Sequence, residues 1–445
     1  MPLYDPLAPT YLDSADARAE RDRTFHICSD CRVCVKLCPS FKDLFRFIDD
    51  RGGTSEVEAL SAEEHRHVVD ECYQCKLCYV ICPYTPDQQQ EWVIDFPGLM
   101  QRSLIVEHDE GDGPGRNAQL LARTDLQGRV GSALAPVLNR SLSLGPARAV
   151  MEKVTGISKV RMLPRYARQR FSQWFRRRGR LTSGAPRGEV ALFPTCMVEY
   201  QEPGIGQALV DVYEHNGFGC TLPEGQVCCG MPWLDAGNRE KFVEHARHNV
   251  EVLSKSVEAG RPIVVPQPTC AYVLKHEVPA HLGTDAARAV AANTFDASEY
   301  LMARHRESPL RTEFPGTTYA KIVWHHACHM RAQQIGPKSR DLMALTGAKV
   351  QIVEKCSGID GTWGLRAENV EAAKKIASGL IDAVSRSDAE LVAGDCHLAN
   401  GAIAEDAGKV PLHPMQVLAR AYGFASGGGG DGDGGARDAE GDGGA

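Results

Sequence analysis

Short apolar runs alternate with amphipathic stretches through the second half of the chain. Val190-Ala-Leu-Phe193 and Ile322-Val-Trp324 read as buried strands, as do Ile263-Val-Val265 and Glu390-Leu-Val-Ala393. Helical patterns separate them, and strands alternating with helices predict parallel βαβ units. The pattern runs through twice, over residues 186–315 and 316–424. Residues 1–24 are polar and Pro-containing and read as a flexible arm. Residues 25–90 form a compact module of short helices, and 91–185 a helical linker. Residues 425–445, rich in Gly and Asp, are expected to be disordered because they cannot bury a core. The expected fold is α+β and multidomain, a helical N-terminal module followed by two repeated α/β parallel-sheet units.

Composition narrows the class. The 445 residues are 43% hydrophobic and 24% charged, which excludes a wholly disordered or collagen-like chain. Net charge is −7. Asp431, Asp433, Asp438, Glu440 and Asp442 supply much of it from the tail. A nucleic-acid partner is not expected, since the chain is not globally basic. The start of the chain has no basic, apolar leader, and no run reaches the ~18 apolar residues of a membrane span. The expected location is cytoplasmic, where thiols stay reduced. The 16 Cys therefore read as metal ligands rather than a disulfide framework.

Eight of them form two matching runs. Cys28, Cys31, Cys34 and Cys38 precede Pro39, and Cys72, Cys75, Cys78 and Cys82 precede Pro83. This spacing is that of bacterial two-cluster ferredoxins, in which three thiolates wrap one cubane and the fourth ligates the other. One [4Fe–4S] cluster is assigned to Cys28, Cys31, Cys34 and Cys82, the second to Cys72, Cys75, Cys78 and Cys38. Each fourth Cys is expected to start a helix. Zinc would show two separated Cys pairs instead.

Each later unit places cysteines at strand ends, where open α/β sheets build sites. The first holds Cys196, Cys228-Cys229-Gly230 and Cys270. The second holds Cys328, Cys356-Ser357-Gly358 and Cys396. Together with the ferredoxin-like module, these motifs resemble the paired cysteine-rich (CCG) domains of heterodisulfide-reductase-related iron–sulfur proteins of the anaerobic glycerol-3-phosphate dehydrogenase type. Glycolate-oxidase and lactate-utilisation iron–sulfur subunits are more distant. His325-His-Ala-Cys328-His329-Met330, Gly358-Ile-Asp-Gly361-Thr-Trp-Gly364 and His413-Pro414 carry the likeness. It implies Rossmann-like units with one or two further clusters. The chain departs from that pattern at Val273, Ser357 and Ala399, where family members have Cys. Four thiols remain in the first unit. The second keeps three, which leaves an iron open or calls on His397, His329 or Asp395. Cys220 lies outside the motif and reads as structural.

Residues 164–180 carry seven Arg and no acid, with Phe171, Trp174 and Phe175 on one helical face. Two readings follow: a helix lying on an anionic membrane surface, or one docking its aromatics on the core. No dinucleotide or Walker fingerprint is present, so no flavin, nicotinamide or ATP site is expected in this chain. The expected function is an iron–sulfur electron-transfer subunit. It would pass electrons between a flavoprotein dehydrogenase partner and quinone or another carrier, peripheral to the inner face of the membrane. The alternative is an enzyme that reduces a disulfide, thiol or peroxide at the second unit, with Cys328, Cys356, Cys396 and His329 as its catalytic residues.

Overall fold

The computed structural model describes residues 3–88, 91–179, 184–359 and 361–425. The expected disordered tail lies outside the described residues, apart from Ala425. The N-terminal arm is packed rather than flexible over its described part. Arg102 donates to the carbonyls of Thr10 and Tyr11, and Arg239 donates to that of Pro6. Tyr11 is buried beneath both guanidinium groups. These anchors sit 91 and 233 positions away in sequence, beyond the reach of a local pattern.

Asp13 opens the helix Ser14–Cys31 by accepting from the Asp16 N–H. That helix packs with Pro39–Asp49, Ala62–Asp70 and Phe96–Asp109 around Phe25, Phe41, Leu44, Ile48, Val68 and Leu99. Phe96–Asp109, expected as the start of a linker, is buried on all sides. Phe96 and Leu99 belong to the N-terminal core, while Ile105 reaches the core of the first α/β unit. Its buried polar residues are engaged as well: Arg102 holds the N-terminal arm, and Ser103 Oγ donates to the Leu99 carbonyl.

The α/β units are two parallel sheets. The first has the order β2-β1-β3-β4, with β1 Glu189–Leu192, β2 Gly219–Thr221, β3 Ile263–Val265 and β4 Thr294–Asp296. The second has the order β6-β5-β7, with β5 Lys321–His325, β6 Lys349–Val353 and β7 Leu391–Gly394. Leu412 bridges Ala393 in parallel, at the place β4 holds beside β3. The repeat extends to the caps. Asp296 forms a capping box on helix Ala297–Glu307, and His413 forms one on Pro414–Ala421. The units share a core, in which Leu209, Val212 and Tyr213 join Trp324, Met415 and Leu418.

Of the two readings of the basic segment, the structure takes docking on the core. Phe171 is 1% exposed, and Trp174 and Phe175 pack on the shared core. Arg178 lies over both of the latter rings and pairs with Glu214. No helix among the described residues is long and apolar enough to cross a membrane.

Candidate metal centres

None of the sixteen cysteines, all among the described residues, forms a disulfide. The two N-terminal runs exchange their fourth members. Cys28 is grouped with Cys31, Cys34 and Cys82, whereas Cys38 and Cys78 are grouped with Cys72 and Cys75. Cys34 and Cys78 also lie within electrostatic reach of each other, so the two groups adjoin. Cys38 caps the helix Pro39–Asp49 as the motif predicts. Cys82 does not start a helix: it closes Leu77–Ile81 in an extended conformation. Pro83 restricts the residue before it to that region.

The loops bend sharply. Arg32, Gln74, Lys76 and Thr195 have positive φ, and each stands one or two residues from a cysteine. Non-glycine residues held there mark strain that the surroundings maintain, a feature that clusters at functional sites. Burial, reinforced by neighbouring thiols, pushes the Cys28, Cys38 and Cys78 thiols well above their usual range, and Cys34 to about 12. Four such thiolates are tenable together only around a cationic centre. Among the described residues no three His, Cys, Asp or Glu side chains meet as ligands of a single metal ion. A cubane takes each thiolate on a different iron, so its ligands surround a cage rather than a point. The donor sets therefore fit iron–sulfur clusters. The Tyr84 N–H and Cys82 Sγ are 3.4 Å apart, an N–H···S contact of the kind that tunes such clusters.

The first unit gathers its four thiols into a third group. Cys196 follows β1 and Cys270 follows β3, each in a short helix. Cys228 accepts from the Cys196 and Cys229 thiols, which lowers it well below its usual range. Cys229 in turn contacts Cys270. The Cys228 N–H donates to Asp125 at 2.8 Å. Gly230 has φ +96, and a β-carbon there would come within 2.7 Å of the Phe242 ring. The glycine after the cysteine pair is thus required by both conformation and space. Gly358 repeats this in the second unit, with φ +66 and a β-carbon 2.2 Å from the Ala373 carbonyl oxygen. A cavity of about 840 Å³ opens against Cys196 and Cys228, with Asp125, Arg129, Tyr200 and Cys220 in its wall.

The three thiols of the second unit stand after β5, β6 and β7. Cys328 opens the helix Cys328–Ala332 and Cys396 caps His397–Ala407. Cys396 packs on the shared core, whereas Cys356 packs with Tyr73, Trp363, Cys38 and Cys75. Cys356 therefore meets the second N-terminal group across the module boundary. His329 is engaged at both ring nitrogens. Its Nε2 donates to the Gln74 carbonyl at 3.1 Å, and its Nδ1 accepts from Thr269 Oγ1 at 3.0 Å. Burial lowers its pKa to about 4, so the ring is neutral in this tautomer. Neither nitrogen is left for a metal or substrate. Asp395 is likewise engaged, by Ser339 Oγ and by Trp324 Nε1 at 2.7 Å. His397 is half-buried, and desolvation lowers its pKa to about 4.

Sequence reasoning missed the residues that join these groups. Lys76, between Cys75 and Cys78, is buried 3.1 Å from Glu277 of the first unit. Burial opposes both charges, and each partner overcomes it for the other. Asp125 and Thr124 come from the cysteine-free segment, where nothing local marks them as neighbours of Cys228.

Residues 24–85 match the 4Fe-4S dicluster domain family, and residues 190–275 and 322–399 match the cysteine-rich domain family. The chain is 27% identical to the C subunit of anaerobic glycerol-3-phosphate dehydrogenase of Escherichia coli over 403 residues, 90% of this chain and 99% of the relative. It is 30% identical to lactate utilization protein A of Exiguobacterium sp. over 216 residues, 46% of this chain and 84% of the relative. The Bacillus cytotoxicus protein of that name is 29% identical over 221 residues, 47% of this chain and 87% of the relative.

Proposed function

The chain belongs to the family of cysteine-rich iron–sulfur proteins that includes these relatives, and from that premise we propose that it is the electron-transfer subunit of a dehydrogenase complex. Its partner would be a flavoprotein that oxidises a small hydroxy acid or polyol phosphate, and its acceptor quinone or another carrier. The Escherichia coli relative is one subunit of a dehydrogenase, which supports a multi-subunit setting. The observation that carries the reading is the continuity of thiol groups. Cys34 adjoins Cys78, and Cys38 adjoins Cys356, whose thiol packs with Cys75 on the same Tyr73–Trp363 cluster.

Cys28, Cys31, Cys34 and Cys82 would hold one [4Fe–4S] cluster, and Cys72, Cys75, Cys78 and Cys38 the other. Cys196, Cys228, Cys229 and Cys270 would hold a third. When bound, such clusters accept and release single electrons at potentials set by their surroundings. The chain's own contribution is burial, N–H···S contacts and the Lys76 charge beside the second group. His329 is a positioning residue that holds the second unit to the Gln74 loop. The cavity against Cys196 and Cys228 would admit an acceptor to the first unit.

The test is anaerobic purification of the full chain, reduction by dithionite followed in EPR, and reoxidation by a soluble quinone analogue. Reducible signals that disappear on adding the analogue support the reading. A chain that is redox-silent overturns it. The proximity of Cys356 to Cys38 and Cys75 favours a second reading, reduction of a disulfide, thiol or peroxide at Cys328, Cys356 and Cys396. Under it, Cys356→Ser abolishes turnover with an artificial donor and leaves the N-terminal signals intact.

A further inference from the structure

Arg32 and Lys76 hold the same place in the two N-terminal cysteine runs, each directly after the second cysteine. Both have a positive φ, of 52° and 61°. Their surroundings are opposite. The second loop is covered by the chain's own α/β units: Lys76 pairs with Glu277, the Gln74 carbonyl accepts from His329, and Leu77 is 8% exposed. The first loop is uncovered. Arg32 pairs with Asp49 of its own module, and Val33, the counterpart of Leu77, is 52% exposed. The loops are one motif repeated. The covered loop therefore shows the contact that the uncovered one presents, a cation and aliphatic side chains around thiols, met by another folded surface.

The uncovered apolar side chains gather around one group of thiols. Val33 and Val35 flank Cys34, and Val80 and Ile81 precede Cys82. Cys34 and Cys82 belong to the same group of four. Trp92 stands against the Tyr84 ring with centroids 6.3 Å apart, and the Tyr84 N–H contacts Cys82 Sγ. Val35, Val80, Ile81 and Trp92 are 36–55% exposed. Clustered apolar exposure of this kind marks an interaction surface. Charge excludes a lipid surface as its occupant. Asp30 precedes Cys31, Glu91 precedes Trp92, and Asp87 accepts from the Tyr79 hydroxyl. These three exposed acids stand against the exposed Lys36, and anionic headgroups repel such a rim. A protein surface fits instead. A patch of five side chains suits an electron-transfer encounter, whose interfaces bury less than about 1,200 Å².

We infer that the face of Val33, Val35, Val80, Ile81 and Trp92 docks the flavoprotein partner, with the group of Cys28, Cys31, Cys34 and Cys82 as the port by which single electrons enter the chain. Each electron taken up there is lost by the partner's reduced flavin. The group of Cys72, Cys75, Cys78 and Cys38 is the inner relay, since the α/β units cover its loop and Cys38 lies against Cys356. The inference rests on the electron-transfer reading above, which supplies the occupant, and adds the surface and the point of entry.

The test is affinity purification of the tagged full chain from its own host under anaerobic conditions, with bound flavin measured by fluorescence and iron by colorimetric assay. The wild type retains flavin. Val33→Glu/Ile81→Glu and, separately, Val35→Glu/Trp92→Glu retain at least about tenfold less flavin per iron. Iron content and the dithionite-reduced EPR spectrum of both match the wild type. Val410→Glu, at a site 75% exposed in the second α/β unit, keeps its flavin. A photo-crosslinker in place of Val33 joins the chain to the flavin-bearing polypeptide and reads the face without an added charge. A wild type without flavin overturns the inference, as do iron-replete face variants that keep it, or a crosslink to no flavin-bearing polypeptide. A wild-type dimer that both face variants turn into monomer also overturns it, because a second copy then holds the face. Reducible EPR signals in any of these cases leave the electron-transfer reading standing, so the two fail separately.

Discussion

The His329 ring nitrogen Nε2 lies 3.1 Å from the carbonyl oxygen of Gln74, which joins the second cysteine-rich unit to a cysteine loop 255 positions away. Gln74 holds a positive φ of 55°, so its carbonyl is turned out of the usual backbone direction. The imidazole serves as a strut whose tautomer is fixed from both sides. His329→Leu should leave the Gln74 carbonyl and the Thr269 hydroxyl unpaired and cost about 1–3 kcal/mol. It should leave iron content unchanged, as measured by colorimetric iron assay alongside a chemical melt. Loss of iron in this variant would instead make His329 a ligand.

The Lys76–Glu277 pair ties the same loop to the first unit. Removing one partner leaves the other buried and uncompensated. Lys76→Met should therefore destabilise the chain by about 3–5 kcal/mol, and the double variant Lys76→Met/Glu277→Leu should recover much of that loss. A double-mutant cycle by urea denaturation checks it. Additive losses would mean that the charges do not interact.

His65 is stacked on Phe25 with ring centroids 5.1 Å apart, and burial lowers its pKa to about 3. An unfolded chain protonates this group near its ordinary value of 6.5. Between those values the unfolded state binds the extra proton, so folding stability falls as pH drops. Stability is complete above about pH 6.5 and declines towards about pH 3. Wild type should lose stability relative to His65→Leu between about pH 7.5 and about pH 5. Parallel denaturation midpoints for the two proteins across that range would contradict this.

Much of the architecture was legible because it rests on short-range pattern. The four apolar runs are β1, β3, β5 and β7, with ends shifted by about one residue. Cysteine spacing assigns Cys38 and Cys82 to exchanged groups, because the fourth Cys of each run is expected to start the next helix and point away. β2, β4 and β6 were not identified. β2 and β4 span three residues each, and the lysine and glutamine of β6 break its apolar run. The joining residues escaped for a different reason. Tyr11, Lys76 and Asp125 act through partners in other modules, and a single sequence carries no mark of a contact between distant segments. Cys82 as a helix end was misread because Cys38, its counterpart, does begin one.

The continuity of the thiol groups is tested most directly by EPR of the dithionite-reduced full chain, compared with Cys82→Ser. Because Cys34 and Cys78 adjoin, the two N-terminal clusters should show a spin-coupled spectrum rather than two independent signals. In Cys82→Ser the cluster of the first run should change, while that of Cys72, Cys75, Cys78 and Cys38 persists. Uncoupled signals, or a change confined to the cluster of the second run, would contradict the account.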